Sequence, residues 1–129
     1  MTSLPLESRV VRLERLFNRH FPDALRSEQR KSVETIQKIV ADEFELPSHS
    51  VLLSASTKQS LAWPRHVAMF MSYMYSGLGT PEIAKLFNRE DHSTISHASK
   101  RVRNEQATNK KRAAVVEVIR LRVAEALKI

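Results

Sequence analysis

Apolar residues recur along most of the chain at intervals of three and four, which is the spacing of an amphipathic α-helix. A first helix is predicted from Ser8 to Phe21 and ends at Pro22, and a second is predicted from about Ser32 to just before Pro47. No segment shows a convincing strand alternation. The apolar positions of these two helices are Val10, Val11, Leu13, Leu16, Phe17 and Phe21, then Val33, Ile36, Ile39, Val40 and Phe44.

Proline and glycine divide the next part of the chain into further helices. A short turn at 50–53 and a polar loop at 54–62 come first, and Pro64 then suits the first position of a helix that Gly77 terminates. Thr80 is the expected cap of a short helix that Pro81 opens and that runs through Phe87.

Capping residues mark the last two predicted helices. One runs from His92 to about Gln106, with Asp91 able to cap its free N–H groups, and Asn109 is expected to cap the final helix. The inward stripe predicted for that final helix is Val115, Val118, Ile119, Val123 and Leu127. The chain is therefore expected to be all-α, a bundle of about six helices.

The two helices around residues 80 to 103 have the dimensions of a helix-turn-helix. The residues expected to face inward are Ile83, Ala84, Leu86 and Phe87 in the first helix and Ile95, Ala98 and Val102 in the second. The first turn of the second helix, residues 92–94, carries short polar side chains that can reach base edges. Its later turns offer Lys100, Arg101 and Arg103 for phosphates.

The composition excludes several classes of function. A chain of 129 residues suits one compact domain with at most a short arm. It has no cysteine, which removes disulfides, Cys-ligated zinc and thiol nucleophiles, and it has no G-x-x-x-x-G-K-[ST] loop. Without a bilayer-length apolar stretch or a secretory leader, we expect a cytoplasmic, nucleoid-associated protein that does not insert into membranes.

Neither catalysis nor metal binding is expected. Asp91, His92 and Ser93 are residue types of a catalytic triad, but adjacent side chains on a helix diverge. His92 and His97 lie five residues apart, which does not place both on one face of a helix, and no third ligand is near. We therefore predict a protein that is not an enzyme and that uses no cofactor.

The positive charge is concentrated at the two ends of the chain. The formal net charge is +7, of which residues 1–31 carry +3, residues 32–98 carry −2 and residues 99–129 carry +6. Clustered Lys and Arg favour polyanion binding, although a solvated basic surface explains such a run equally well. We divide the chain into a basic N-terminal arm or helix at 1–31 and a helix-turn-helix domain at 32–129.

Several blocks of the sequence resemble the C-terminal DNA-binding domain of the bacterial chromosomal replication initiator DnaA. The resemblance begins at Ile36-Gln37-Lys38-Ile39-Val40-Ala41 and is strong from Ala62-Trp63-Pro64-Arg65-His66-Val67-Ala68-Met69 through Pro81-Glu82-Ile83. It culminates in Asp91-His92-Ser93-Thr94-Ile95-Ser96-His97-Ala98, which is similar to the family motif D-H-T-T-V-x-H-A. Roughly residues 33 to 127 are covered.

This resemblance implies DNA contacts for individual side chains. In the family the motif enters the major groove of an asymmetric duplex box, which implies base contacts for Asp91, His92, Ser93 and Thr94. By the same match, Arg65, Pro81 and His97 would contact the sugar-phosphate backbone. The complete set of predicted backbone contacts is Arg65, His66, Pro81, His97, Lys100 and Arg101.

Three positions depart from the family pattern, and each departure removes positive charge. The family's Arg-rich loop, which reaches the minor groove, is here 54–60 with Lys58 as its one basic residue and the one loop contact we predict. Glu90 stands where the family has an arginine, and Tyr73 stands at a basic position. We therefore expect weaker binding to the family's box, or relaxed readout in the minor groove.

The N-terminal residues Ser3-Leu4-Pro5-Leu6 are similar to the end of the short peptides by which replication proteins dock on the bacterial sliding clamp. The glutamine that normally anchors such a peptide is replaced by Met1. Two interpretations stay open. Leu4, Pro5 and Leu6 dock on the clamp, or the two leucines staple the following helix to the core.

These features together predict a sequence-specific, double-stranded DNA-binding protein that is similar to the DnaA domain without its ATPase. It would regulate the initiation of chromosomal DNA replication at DnaA-box-like sites. One alternative is a transcription regulator or phage-type replication factor with the same domain. Another is an interaction protein with a weakened DNA face, whose partner is the replication initiator, a regulator of the initiator or the sliding clamp.

Overall fold

Every regular element in the part of the chain that the computed structural model describes, residues 22–129, is a helix. The elements are α1 (Pro22–Glu43), a 3₁₀ helix (His49–Leu53), α2 (Gln59–Tyr75), α3 (Thr80–Leu86), α4 (Ser93–Thr108) and α5 (Lys110–Leu127). The predicted all-α class is confirmed. The helix predicted at 8–21 and the predicted docking residues Leu4, Pro5 and Leu6 lie outside the described residues.

Helix α2 is the centre of the bundle, because it packs against α1, α4 and the 3₁₀ helix. Helix α5 closes the bundle by packing against α1 and α4. Each element contributes at least one large side chain with less than 2% of its surface exposed, and burying such a side chain stabilises the fold by about 1.5 to 3 kcal/mol. These include Ile36, Leu52, Met69, Ile83, Ile95 and Ile119.

The prediction for the start of α1 was wrong by about ten residues. Among the described residues, this helix begins at Pro22. Proline is tolerated in the first turn of a helix, where N–H groups have no intrahelical partner. Residues 24–31 are mostly exposed, so they carry no apolar stripe that periodicity could detect. The single helix α1 crosses the boundary that we predicted between residues 31 and 32.

The prediction that Pro64 occupies the first position of α2 was also wrong, because the helix begins at Gln59 and Pro64 is its sixth residue. There the proline removes one intrahelical hydrogen bond, a loss confined to the second turn. The buried ring packs within the core face of α2. The first turn is mostly exposed and polar, which made it look like part of the preceding loop.

Of three residues predicted to end or cap a helix, Gly77 and Asn109 do so and Thr80 does not. Gly77 follows α2 with φ +80, a left-handed backbone conformation that glycine adopts without the strain of a side chain. The side chain of Asn109 accepts a hydrogen bond of 3.1 Å from the backbone N–H of Arg112 and caps α5 as predicted. Thr80 is not the cap of α3, because Gly79 holds that position.

The face of α5 that packs on the bundle differs in part from the predicted stripe. Val116, Ile119 and Val123 are buried, whereas Val118 is 45% exposed. Apolar residues occur on both sides of this helix, so the stripe could not be chosen from spacing alone. Arg122 ties α5 to the end of α1 through contacts of 2.9 Å to Asp42 and 2.8 Å to Glu43.

Candidate nucleic-acid interface

Helices α3 and α4 form the predicted helix-turn-helix, and their predicted inner faces are buried except at Leu86, which is half-buried. The buried residues are Ile83, Ala84 and Phe87 on one side and Ile95, Ala98 and Val102 on the other. Ala84 is small enough to let the two helices approach closely. The buried contact fixes the orientation of α4 and leaves the opposite face of that helix accessible.

A compact turn connects the two helices. Asn88 adopts the left-handed conformation with φ 55, which asparagine tolerates better than most residues. The backbone N–H of Arg89 donates to the Ala84 carbonyl at 2.8 Å, and that of Asn88 donates to Lys85 at 3.0 Å. These bonds satisfy carbonyls at the end of α3, so α4 starts from a fixed position.

The four residues with predicted base contacts lie at the start of α4, where Asp91 acts as a cap. Its Oδ1 accepts a hydrogen bond of 2.9 Å from the Ser93 backbone N–H, and hydrogen bonding to Ser93 lowers the pKa of the Asp91 carboxyl. Asp91 and His92 are exposed, whereas Ser93 and Thr94 are half-buried. Asp91 and His92 are therefore the most accessible side chains of the four.

Further along α4, the predicted backbone-contact residues are distributed over its accessible face. His97 and Lys100 are exposed, and Arg101 is half-buried. Arg103 and Asn104 continue the same face and are also exposed. The helix thus carries short polar groups in its first turn and cations in its later turns, as the sequence predicted.

Arg65, a predicted backbone contact, is 7% exposed and holds the loop before α2. Its three guanidinium nitrogens donate to the carbonyls of Leu52, Ser56 and Ser54 at 2.9, 3.0 and 3.2 Å. Burial and the neighbouring charge of Arg89 lower its pKa. With every nitrogen engaged by loop carbonyls, Arg65 has a positioning role that the sequence did not reveal.

A second arginine reaches the same loop from the turn of the helix-turn-helix. Arg89 Nη2 donates to the Ser54 carbonyl at 2.9 Å, so two guanidinium groups converge on one oxygen. Ser54 and Arg89 are 35 residues apart, and no local spacing could have indicated this contact. The loop that carries Lys58 is thereby attached to both α2 and the turn before α4.

His66 and Arg101, two predicted backbone contacts, lie against each other. Arg101 Nη1 is 2.9 Å from His66 Nδ1, and the arginine Cζ lies 5.8 Å from the centre of the Trp63 ring. Burial, with the charges of Arg101 and Arg65, lowers the pKa of His66 from 6.5 to about 4. The imidazole is therefore neutral at pH 7, and it orients Arg101 instead of adding a charge.

A second arginine lies over the Trp63 ring. Arg112 Cζ lies 4.5 Å from the centre of the Trp63 ring, and its Nη1 lies 3.3 Å from Glu105. Cations over an aromatic face are stabilised by the ring's electron density. Arg112 thus links α5 to α2 and α4 in addition to any contact with phosphates.

The remaining predicted contacts and departures lie at the surface. Lys58 and Pro81 are exposed, and Lys58 precedes the first turn of α2. Glu90 is exposed immediately before the cap residue Asp91, and Tyr73 is 45% exposed on α2. The departures from the family's charge pattern are therefore accessible and not buried by the fold.

The fold and this surface together define a helix-turn-helix domain, the class that places its second helix in the major groove of DNA. A family model described as "Bacterial dnaA protein helix-turn-helix" matches residues 33–102. The chain belongs to this family, and the resemblance stated from the sequence is confirmed.

Similar proteins point to the same family. The "Chromosomal replication initiator protein DnaA" of Treponema pallidum (strain Nichols) is 32% identical over 97 residues, which are 75% of this chain and 21% of that protein. The protein of the same name from Ruegeria pomeroyi is 35% identical over 99 residues, 76% of this chain and 21% of that protein. The chain spans about a fifth of the length of these curated relatives.

A solved structure has the same fold. A crystal structure described as that of a DNA replication initiation factor superposes with a TM-score of 0.76 at 20% identity, covering 92% of this chain and 36% of that one. Within residues 22–129, no helix is both long and apolar enough to cross a membrane. The same residues contain no group of three His, Cys, Asp or Glu side chains placed to hold a metal ion.

Proposed function

We propose that this chain binds double-stranded DNA in a sequence-dependent manner, with the first turn of α4 against base edges in the major groove. The observation that carries the proposal is the start of α4 in a DnaA-type helix-turn-helix, where Asp91 and His92 are exposed and Ser93 and Thr94 are half-buried. Short polar side chains at the start of such a helix make the hydrogen bonds that distinguish base pairs.

The cations on the later turns of α4 support this orientation of the DNA. Lys100 and Arg101 follow the first turn by two helical turns, so they meet the phosphates that border the groove. The bond between His66 and Arg101 holds one of these cations in place. Affinity would come mainly from the phosphates, and preference for one sequence from residues 91–94.

The DNA sites that we propose are similar to the boxes bound by replication initiators, and the proposed consequence is control of replication initiation. Support comes from relatives that are named as chromosomal replication initiators and match this region at 32% and 35% identity. Occupancy of such a box by this chain would alter its availability to the initiator. Genome-wide occupancy of both proteins tests this, because sites that do not overlap would contradict the proposal.

Fluorescence anisotropy with a box-containing duplex and a scrambled duplex tests sequence-dependent binding directly. We expect tighter binding to the box, with the preference retained at two salt concentrations because it does not arise from phosphates. Equal affinity for both duplexes would contradict base readout. Absence of binding to either duplex would favour an interaction protein instead.

Two histidines on the same helix provide a matched pair of variants. His92→Ala should weaken binding to the box by about 1 to 3 kcal/mol and leave binding to the scrambled duplex nearly unchanged, because it removes a base contact. His97→Ala should weaken both by a similar factor, because its predicted contact is to the backbone. If His92→Ala still binds the box more tightly than the scrambled duplex by the wild-type factor, another element contacts the bases.

A further inference from the structure

The side of α5 that faces away from the bundle carries exposed apolar residues. Val118 is 45% exposed and Leu121 is 55% exposed, and exposed Ala114 lies one turn before Val118. Single apolar residues on a surface are ordinary, but residues three and four apart on a helix are neighbours and form a continuous patch. Such a patch is expected to be covered by a partner.

Charged residues extend this patch at both ends with the spacing of a coiled coil. We define the outer face of α5 as five exposed residues at alternating intervals of three and four: Lys111, Ala114, Val118, Leu121 and Glu125. This interval keeps one side of a helix against a single partner helix along its length. From its first to its last residue the outer face is about 21 Å long, or about four helical turns. Its geometry therefore suits a second helix as the partner.

The order of the charges makes the outer face complementary to itself in the antiparallel direction. Val118 is its midpoint and lies seven residues from either end. If a second copy of α5 packs antiparallel on this face, with the two Val118 side chains together, Lys111 meets Glu125 of the second copy at both ends. A parallel arrangement would place like charges together at both ends. The charge pattern therefore selects a second copy of this chain in the antiparallel orientation.

Side-chain size supports the same arrangement. Ala114 of each copy faces Leu121 of the other copy, so a small side chain lies opposite a large one at two positions. The helix predicted at 8–21 is a poorer match, because it has four arginines spread along its length and one glutamate near its middle. It does not offer a carboxylate at one end and a cation at the other.

The charged ends of the outer face are available for such a contact. Neither Lys111 nor Glu125 forms a salt bridge within residues 22–129. Other charged residues on this part of α5 are paired within the chain. These pairs are Glu117 with Arg120, and Arg122 with Asp42 and Glu43. The two charges at the ends of the outer face are thus left for an intermolecular partner.

We infer that the outer face of α5 is an interface between two copies of this chain, which pair as antiparallel helices about a two-fold axis beside Val118. Its apolar centre consists of three residues from each copy, whereas a stable interface of standard size has about 20 to 30 residues a side. The dimer is therefore weak, and we expect it to dissociate in the micromolar range. The inference goes beyond the proposed function and does not depend on it.

Sedimentation equilibrium of the full chain without DNA tests this interface. The average mass should rise from one copy towards two as the protein concentration increases about a hundredfold through the micromolar range. Leu121→Gln removes the largest apolar side chain of the outer face without changing the charge. It should weaken self-association about tenfold, because it acts at two positions of a symmetric dimer. Its melting temperature at low concentration should equal that of the wild type, because Leu121 is exposed in the single chain.

Charge reversal tests the antiparallel orientation. Lys111→Glu and Glu125→Lys each place like charges together at both ends, so each should weaken self-association about tenfold at low salt. The double variant restores opposite charges and should associate like the wild type. Both changes complement the helix dipole, so neither should lower the melting temperature. Arg26→Glu, at an exposed position near the start of α1, makes the same change in charge as Lys111→Glu and should leave self-association unchanged.

Several results would overturn the inference. One is a chain that stays monomeric at every concentration. Another is a dimer that Leu121→Gln does not weaken, since a different surface would then hold it together. Failure of the double variant to regain association would contradict the antiparallel order. A monomeric wild type combined with a lower melting temperature in Leu121→Gln would show that another segment of the same chain covers the outer face.

DNA binding provides a separate measurement. A duplex with a single box binds one copy, so Leu121→Gln should keep wild-type affinity and box preference on it. Loss of self-association in this variant with unchanged binding to the single box would uphold the interface. The expected self-association without any box preference in the wild type would contradict the proposed function and leave the interface standing.

Discussion

At the scale of single residues, a buried arginine and a half-buried histidine shape this surface as much as its exposed residues do. All three guanidinium nitrogens of Arg65 donate to backbone carbonyls, and His66 Nδ1 accepts a hydrogen bond from Arg101. Both residues belong to the set of predicted phosphate contacts. Their hydrogen bonds support positioning roles, in which Arg65 fixes the loop that carries Lys58 and His66 fixes the side chain of Arg101.

Protonation of His66 makes the stability of the protein sensitive to pH. Its pKa is about 4 in the folded chain, against 6.5 when unfolded, so the unfolded state binds more protons between these values. The contribution of neutral His66 to the free energy of unfolding is therefore complete above pH 6.5 and is lost as the pH falls towards 4. Since the ring is only partly buried, we expect the loss to be about 2 kcal/mol at pH 4.

Denaturant unfolding of His66→Gln between pH 4 and 7 tests this expectation. Glutamine keeps an acceptor for Arg101 but cannot be protonated, so the variant should lose about 2 kcal/mol less than the wild type over this interval. His49→Gln, on the 3₁₀ helix, is the control and should retain the wild-type pH dependence. Identical pH profiles for all three proteins would rule out this role for His66.

At the scale of elements, the loop between the 3₁₀ helix and α2 is held from two sides. Arg65 of α2 and Arg89 of the turn before α4 both donate to the Ser54 carbonyl. The helix-turn-helix and the loop are consequently one unit, although 35 residues separate the two ends of this bond. A substitution in the loop is therefore expected to alter the position of the turn before α4.

Arg65→Lys should loosen this unit without changing its charge. One ammonium cannot replace three guanidinium bonds of fixed geometry, so we expect a loss of about 2 kcal/mol of stability and faster amide exchange over residues 54–58. Arg89→Lys, which loses one bond, should have a smaller effect. If Arg65→Lys keeps wild-type stability and exchange while DNA affinity falls, Arg65 contacts phosphate directly instead.

At the scale of the whole molecule, the net charge of +7 is distributed unevenly, and the helix-turn-helix contains accessible negative charge. The residues 99–129 carry +6, whereas 32–98 carry −2. Glu90 is exposed immediately before Asp91, the first of the predicted base contacts. Attraction to DNA would therefore come from the later part of the chain and be opposed near residues 90–91.

Glu90→Gln should therefore strengthen DNA binding. Removing one charge that repels phosphates is expected to raise affinity about threefold for box and scrambled duplexes at low salt, with a smaller gain at high salt. Glu125→Gln, an exposed position near the end of α5, is the control for the change in net charge. Equal gains from both variants at each salt concentration would indicate that only net charge matters.

Local sequence patterns were sufficient to predict the fold class and most of the buried residues of the helix-turn-helix. The buried faces of α3 and α4 contain Ile83, Ala84, Ile95, Ala98 and Val102 as periodicity predicted, since burial of a helix face imposes its own spacing. The start of α1 was not predictable in this way. Its first turns are mostly exposed, and an exposed helix has no apolar stripe.

By itself, the sequence determined the all-α class, the caps at Asp91 and Asn109, the turn at Gly77 and the family, because each depends on neighbouring residues or on a continuous motif. Only the tertiary structure decided which cations are held in place and which polar groups lack partners. Arg65 contacts the loop and Arg101 contacts His66 because distant segments pack together, and the buried Ser99 hydroxyl has no hydrogen-bond partner within residues 22–129. Such contacts leave no local pattern in the sequence.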